Sequence, residues 1–145
     1  METEKKELSY FRLRLQELLD TSYPELRGNT GFIDQRSQDA AFTYQEAFKS
    51  GNSIEQCDMV ADFVLFEGLH FSKFDTIFQV VCEEFDTIMA DEELRPFALK
   101  MMSVCEPVFG GYELTDDFAY TTDYDLLYTE LIGTIQLWIE DHGLQ

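Results

Sequence analysis

The side chains spaced for chemistry in this sequence are few, and the first is Glu67-Gly-Leu-His70, an E-x-x-H pair. A Glu and a His three residues apart share a helix face, the arrangement by which di-metal bundles present ligands from each of two helices. Here the spacing occurs once, because His142 has Ile139 three positions earlier. Gly68 and Ser72 read as a helix stop and a helix cap. They put His70 at a helix C-terminus, where an imidazolium suits the dipole. Asp123-Tyr-Asp125 could face a hard cation but lacks the glycine and the further oxygen donors of a calcium loop. Cys57, Cys82 and Cys105 form no C-x-x-C and are odd in number, so disulfides and zinc are disfavoured. They read as small buried hydrophobes. The sequence has no P-loop, no dinucleotide-binding glycine fingerprint, no G-x-S-x-G and no H-E-x-x-H. No catalytic residue, cofactor or metal ligand is implied. A cryptic metal- or thiol-dependent enzyme survives only as an alternative, since Cys and His partners meet in space rather than along the chain.

The elements that must carry these residues are helical throughout. Leu8, Phe11, Leu15, Leu18 and Leu19 mark one face of a helix from about Glu4 to Leu19. Turn and breaker residues fill 21–31. A second helix spans about Phe32 to Lys49, with Ile33, Ala40, Ala41, Tyr44 and Phe48 inward and Gly51 as its stop. Ser53-Ile-Glu-Gln56 has the form of a capping box and opens a helix with Ile54, Cys57, Val60, Ala61, Val64 and Leu65 inward. Ser72 caps a fourth, read through to Met89. Within it Phe74-Asp-Thr-Ile77 recurs as Phe85-Asp-Thr-Ile88. An eleven-residue repeat is about three turns, so both copies would stack on one face, as a core stripe or as a docking ridge. Pro96 reads as a first-turn proline of a fifth helix ending near Val104, with Pro107 and Gly110-Gly111 breaking the chain. Thr115-Asp-Asp-Phe118 suggests a short helical turn. The last helix covers about Asp123 to Asp141, with Leu127, Tyr128, Leu131, Ile132, Ile135, Trp138 and Ile139 inward and Gly143 as its stop. Nothing alternates with period two. The expectation is an all-α fold in one compact domain over 1–145, of five to seven helices in orthogonal or bundle-like packing.

The composition fits that expectation. The chain has 145 residues, 45% hydrophobic and 27% charged, enough apolar content for a core. Its charged N-terminus and short apolar runs predict neither a secretory signal nor a membrane span, and with reduced thiols they point to the cytoplasm. The charge is lopsided. Twenty-nine Asp and Glu face ten Lys and Arg, a net of −19. Residues 1–73 hold 8 basic and 13 acidic side chains, and residues 74–145 hold 2 and 16. Direct nucleic-acid binding and adhesion to anionic membranes both need clustered cations and are disfavoured. A helix-turn-helix at 53–89 would bring Asp75, Glu83, Glu84 and Asp86 to phosphates with only Lys73 to offset them.

Acidic groups interleave with aromatics in the second half, at Tyr112, Asp116, Asp117, Phe118, Tyr120, Asp123, Tyr124 and Asp125. Tyrosine anchors interfaces well and charge steers encounter, so this stretch is the candidate partner-binding site, with a basic protein as partner. Imitation of DNA is the stricter alternative. A folded chain of this mass exposes roughly 7,700 Å², or about 400 Å² per net charge. A duplex carries about one charge per 100 Å². Mimicry therefore requires that the second-half charge converge on one face. A homo-oligomer is equally compatible with this composition.

The segments Glu7-Leu-Ser-Tyr-Phe-Arg-Leu-Arg-Leu-Gln-Glu-Leu-Leu19, Leu65-Phe-Glu-Gly-Leu-His-Phe-Ser-Lys-Phe-Asp75, Glu92-Glu-Leu-Arg-Pro-Phe-Ala-Leu-Lys100 and Leu127-Tyr-Thr-Glu-Leu-Ile-Gly-Thr-Ile135 carry a resemblance. The chain resembles a family of small acidic helical proteins known as a domain of unknown function, encoded largely on conjugative transposons of anaerobic gut bacteria. The likeness spans nearly the whole chain and is weakest over 22–40. It implies an all-α fold and a mobile-element setting, and it brings no activity and no catalytic residues. Accessory proteins of such elements act on host defence or on transfer machinery, which is analogy of context only.

Overall fold

A computed structural model describes the backbone of residues 2–144 and the side chains from Leu8 to Leu144. Among the described residues there are six α-helices, one 3₁₀ turn and no strand. The all-α expectation holds, and so does the helix count. Among the described residues no helix is long and apolar enough to cross a membrane. The chain forms two compact units, Met1–Leu69 and His70–Gln145.

The first unit holds α1 (Glu2–Ser22), α2 (Thr30–Lys49) and α3 (Ile54–Leu65). Phe11, Leu15 and Leu19 recur every four residues on α1 and close the core with Tyr23, Ile33, Ala40, Ala61 and Leu65. Asn29 caps α2 through Phe32 N–H at 3.1 Å, so the helix starts two residues before the apolar pattern does. Gly51 ends it at φ +92°, a left-handed conformation that suits glycine. The Ser53 capping box forms as read, with both bonds present at 3.0 and 3.2 Å. Three apolar side chains expected inward are exposed: Phe48, Ile54 and Val60. The buried stripe on α3 is Cys57, Ala61 and Leu65 alone, too narrow to take in Val60, and Ile54 projects from the first turn.

The second unit holds α4 (Lys73–Glu84), α5 (Asp91–Phe109), the 3₁₀ turn Phe118–Tyr120 and α6 (Thr122–His142). Phe74, Ile77, Val80 and Val81 of α4 pack with Phe97, Ala98 and Met101 of α5 and with Leu127, Leu131 and Ile135 of α6. Here α4 stops five residues short of the expected end. Glu83 and Glu84 fill its last turn with no basic residue, which opposes the negative end of the dipole. Phe85 then turns out of the helix and is buried. The second copy of the Phe-Asp-Thr-Ile echo is therefore not helical, and the two copies do not stack.

By contrast α5 starts five residues earlier than expected and ends five later. The acidic Asp91-Glu-Glu93 run is its first turn, favoured by the dipole, and Glu93 Oε1 accepts from Ala90 N–H at 2.8 Å. Pro96 thus lies in the second turn, not the first, and Pro107 lies inside the helix rather than breaking it. Gly143, at φ +74°, terminates α6 as read.

Candidate functional site: an acidic, tyrosine-bearing face

The candidate site lies in the second unit, between the end of α5 and the second turn of α6. Phe118 organises it from beneath. Its ring lies 5.2 Å from Phe71, 5.7 Å from Tyr112 and 6.4 Å from Tyr124, all near edge-on. Phe118 is 2% exposed, a core residue unable to touch a partner, which corrects its place among the binding residues. Its burial pins the 3₁₀ turn, and Thr121 Oγ1 donates to Phe118 O at 2.7 Å to lock the exit.

Around this anchor the tyrosines divide. Tyr112 is half-buried and donates its hydroxyl to Glu130. Tyr124 donates to Gln79 Oε1 at 3.2 Å, and one turn later Tyr128 donates to Glu83, with Glu84 at 3.5 Å. The pairs run in the same order along both helices, so α4 and α6 are parallel here. Hydrogen bonding to Glu130 pushes the Tyr112 phenol up to about 12, and burial with Glu83 beside it raises Tyr128. Burial and the Glu83 charge raise Tyr124 as well. These hydroxyls stay protonated donors.

Tyr120 has the opposite fate. It is 89% exposed. With His70, Asp116, Asp117 and Ala119 it lines an open depression of about 480 Å³. Asp123 and Asp125 are also exposed, and both lie in the first turn of α6, where carboxylates favour the helix dipole. Of the eight predicted residues, Asp116, Asp117 and Tyr120 are brought together at the depression. Tyr112, Phe118 and Tyr124 form the packed aromatic layer.

His70 lies beyond the end of α3, in the link before Ser72, so it does not terminate a helix as expected. Its place beside Asp116 and Asp117 has no local signal in the sequence. Glu83 and Glu130 were also missed as acceptors. The matched four-residue spacings of Gln79 and Glu83 and of Tyr124 and Tyr128 could have revealed the α4–α6 pairing.

The unit's three cations are each held against a ring. Lys73 pairs with Glu106 at 2.8 Å and lies 5.7 Å from the Phe109 ring. Arg95 lies 4.7 Å from the Phe74 ring, and Lys100 lies 5.5 Å from that of Trp138. Among the described residues no three His, Cys, Asp or Glu side chains come together as a metal site. Burial pushes the Cys105 thiol up to about 12, and burial with neighbouring carboxylates raises Cys82, so neither thiol is activated. What this arrangement can do is attract and hold positive charge.

A family profile described as "Domain of unknown function (DUF1896)" matches residues 3–144. The crystal structure of protein PG0816 from Porphyromonas gingivalis is similar, at 43% sequence identity and a TM-score of 0.88. The match covers 100% of this chain and 99% of that one. A comparison with curated proteins finds no match. The profile spans almost every residue, the resemblance read from the sequence agrees with it, and the chain belongs to the DUF1896 family.

Proposed function

We propose that this chain is a non-enzymatic, cytoplasmic interaction protein of a mobile genetic element that binds a basic protein through its acidic face. The binding groups are Asp116, Asp117 and Tyr120 at the depression, with Asp123 and Asp125 at the start of α6 adding to the field. One observation carries the reading. Tyr120 is 89% exposed beside two carboxylates, while the other aromatic side chains between Tyr112 and Tyr128 are buried or half-buried. An aromatic ring ringed by negative charge suits a guanidinium or ammonium group, which gains from the ring face and the carboxylates together. Sixteen acidic side chains face three basic ones in this unit, so the field around Tyr120 is negative. The mobile-element setting rests on the family resemblance alone.

The test is tagged capture from host lysate at low and at high salt, with native chain and with Asp116, Asp117, Asp123 and Asp125 all changed to Asn. The screening length falls from about 10 Å at 0.1 M to 3 Å at 1 M, so a partner held by this face is lost at high salt. The expected result is a basic protein captured at low salt by native chain and lost in the variant, with the thermal midpoint within a few degrees. An unchanged set of captured proteins overturns the proposal. A captured protein that also loses DNA binding in competition would redirect it toward DNA mimicry.

A further inference from the structure

The first unit carries a second surface of a different kind, on the outer side of α3. Cys57, Ala61 and Leu65 face the core. At 100° per residue, Met59 and Phe63 stand diametrically opposite that stripe. They are 69% and 73% exposed, with Val60 beside them at 41%. A helix apolar on both faces is ordinarily covered on both. One edge of the outer face carries Glu55, Asp58 and Asp62, and the other carries Val60 and Val64. Asp62 is paired with Arg14, whose second nitrogen lies 3.2 Å from Oδ2. Among the described residues Glu55 and Asp58 form no ion pair, although Asp58 lies in the field of Arg14.

We infer that the outer face of α3 docks an amphipathic helix of a partner, with its apolar stripe on Met59, Val60 and Phe63 and a basic edge along Glu55 and Asp58. Charge decides the occupant. A second copy of this chain would bring another net −19 against a face already edged by carboxylates, whereas a Lys- or Arg-edged helix gains on that side. Apolar anchors at one-turn spacing are how a groove or face reads an amphipathic helix, and a methionine adapts to the side chains it meets. This surface involves none of the groups of the acidic depression, so it stands or falls independently of that reading.

The probe is a fluorescent fourteen-residue helical peptide with a leucine stripe and lysine edges. Its control has glutamate in place of lysine. Anisotropy is measured against the full chain in 0.15 M and 0.5 M salt. The lysine peptide should bind at both salts and the glutamate peptide should not. Phe63→Ser and Met59→Ser should each weaken the lysine peptide at least tenfold. Both residues are exposed, so the variants should fold as the native chain does. Asp116→Asn with Asp117→Asn should change it less than twofold. Absence of binding, equal binding by Phe63→Ser, or equal binding of the two peptides overturns the inference. So does a native dimer that Phe63→Ser converts to monomer, since the occupant is then a second copy.

Discussion

The two units meet an excess of carboxylates in opposite ways. The first has seven basic and thirteen acidic side chains, and three of its four arginines meet carboxylates or carbonyls. Arg14 pairs with Asp62, and Arg12 with Asp34 at 2.8 Å. Arg36 reaches the C-terminal end of α3, donating to Glu67 O at 2.6 Å and to Leu65 O and Val64 O at 3.3 and 3.4 Å. The second has three basic and sixteen acidic, and its tyrosines do that work through Glu83, Glu84 and Glu130. A guanidinium cancels a carboxylate's charge. A phenol satisfies its lone pairs and leaves the charge in place. The second unit thereby satisfies these carboxylates and stays strongly negative, the condition that the proposed basic partner would need.

The largest expected effect separates anchor from surface within the second unit. Phe118→Ala removes a ring buried among Phe71, Tyr112 and Tyr124 and should cost about 3–5 kcal/mol, read as a lower denaturant midpoint. Tyr120→Ala, two residues on, should cost less than about 0.5 kcal/mol. Equal losses would mean that the 3₁₀ turn is not hung from Phe118. In the first unit, Arg36→Ala leaves the last carbonyls of α3 without their cation. It should cost about 1–2 kcal/mol, with hydrogen exchange rising first at 62–69. Exchange rising instead within 91–109 would contradict the assignment of Arg36 to α3.

A smaller effect of opposite sign is expected at Ser37. It is fully buried on α2, and its hydroxyl has no hydrogen-bond partner among the described residues. Ser37→Ala removes an unsatisfied polar group and improves helix propensity, so it should stabilise the chain by about 0.5–1.5 kcal/mol. A lower thermal midpoint in the variant would mean that the hydroxyl is satisfied, by water for instance.

What was legible in the sequence follows from how local each cause is. The Ser53 capping box and the Gly51 and Gly143 stops are written in a few adjacent residues, and they stand as read. The apolar stripe of α6 needs only its own period. The end of α4 was not legible, because Phe85, Ile88 and Met89 continue the helical spacing. Carboxylates at the dipole's wrong end and the burial of Phe85 as a plug decide otherwise. The candidate site shows the same limit. Composition located the acidic, aromatic stretch but could not divide its rings, because Phe118 and Tyr120 differ only in which core lies beneath them. Likewise nothing near His70 in the chain announces Asp116.

The smallest expected effect tests the phenol–carboxylate device itself. Tyr112 is held by Glu130, and its folded pKa of about 12 lies above the ordinary value near 10. The folded state therefore keeps the Tyr112 proton at pH values where the unfolded chain has lost it. By linkage, that contribution is complete below pH 10 and disappears as pH climbs toward 12. Urea midpoints measured from pH 9 to 12 should fall with pH in the native chain and fall less steeply in Tyr112→Phe. The difference between the two slopes, rather than either slope alone, isolates Tyr112 from everything else that changes in the same window. It should be small, since the site is wet and water screens it. Identical slopes would mean that the hydroxyl of Tyr112 does not order Glu130. The second unit's phenol–carboxylate pairing would then rest on Tyr128 against Glu83 and Glu84 of α4 alone.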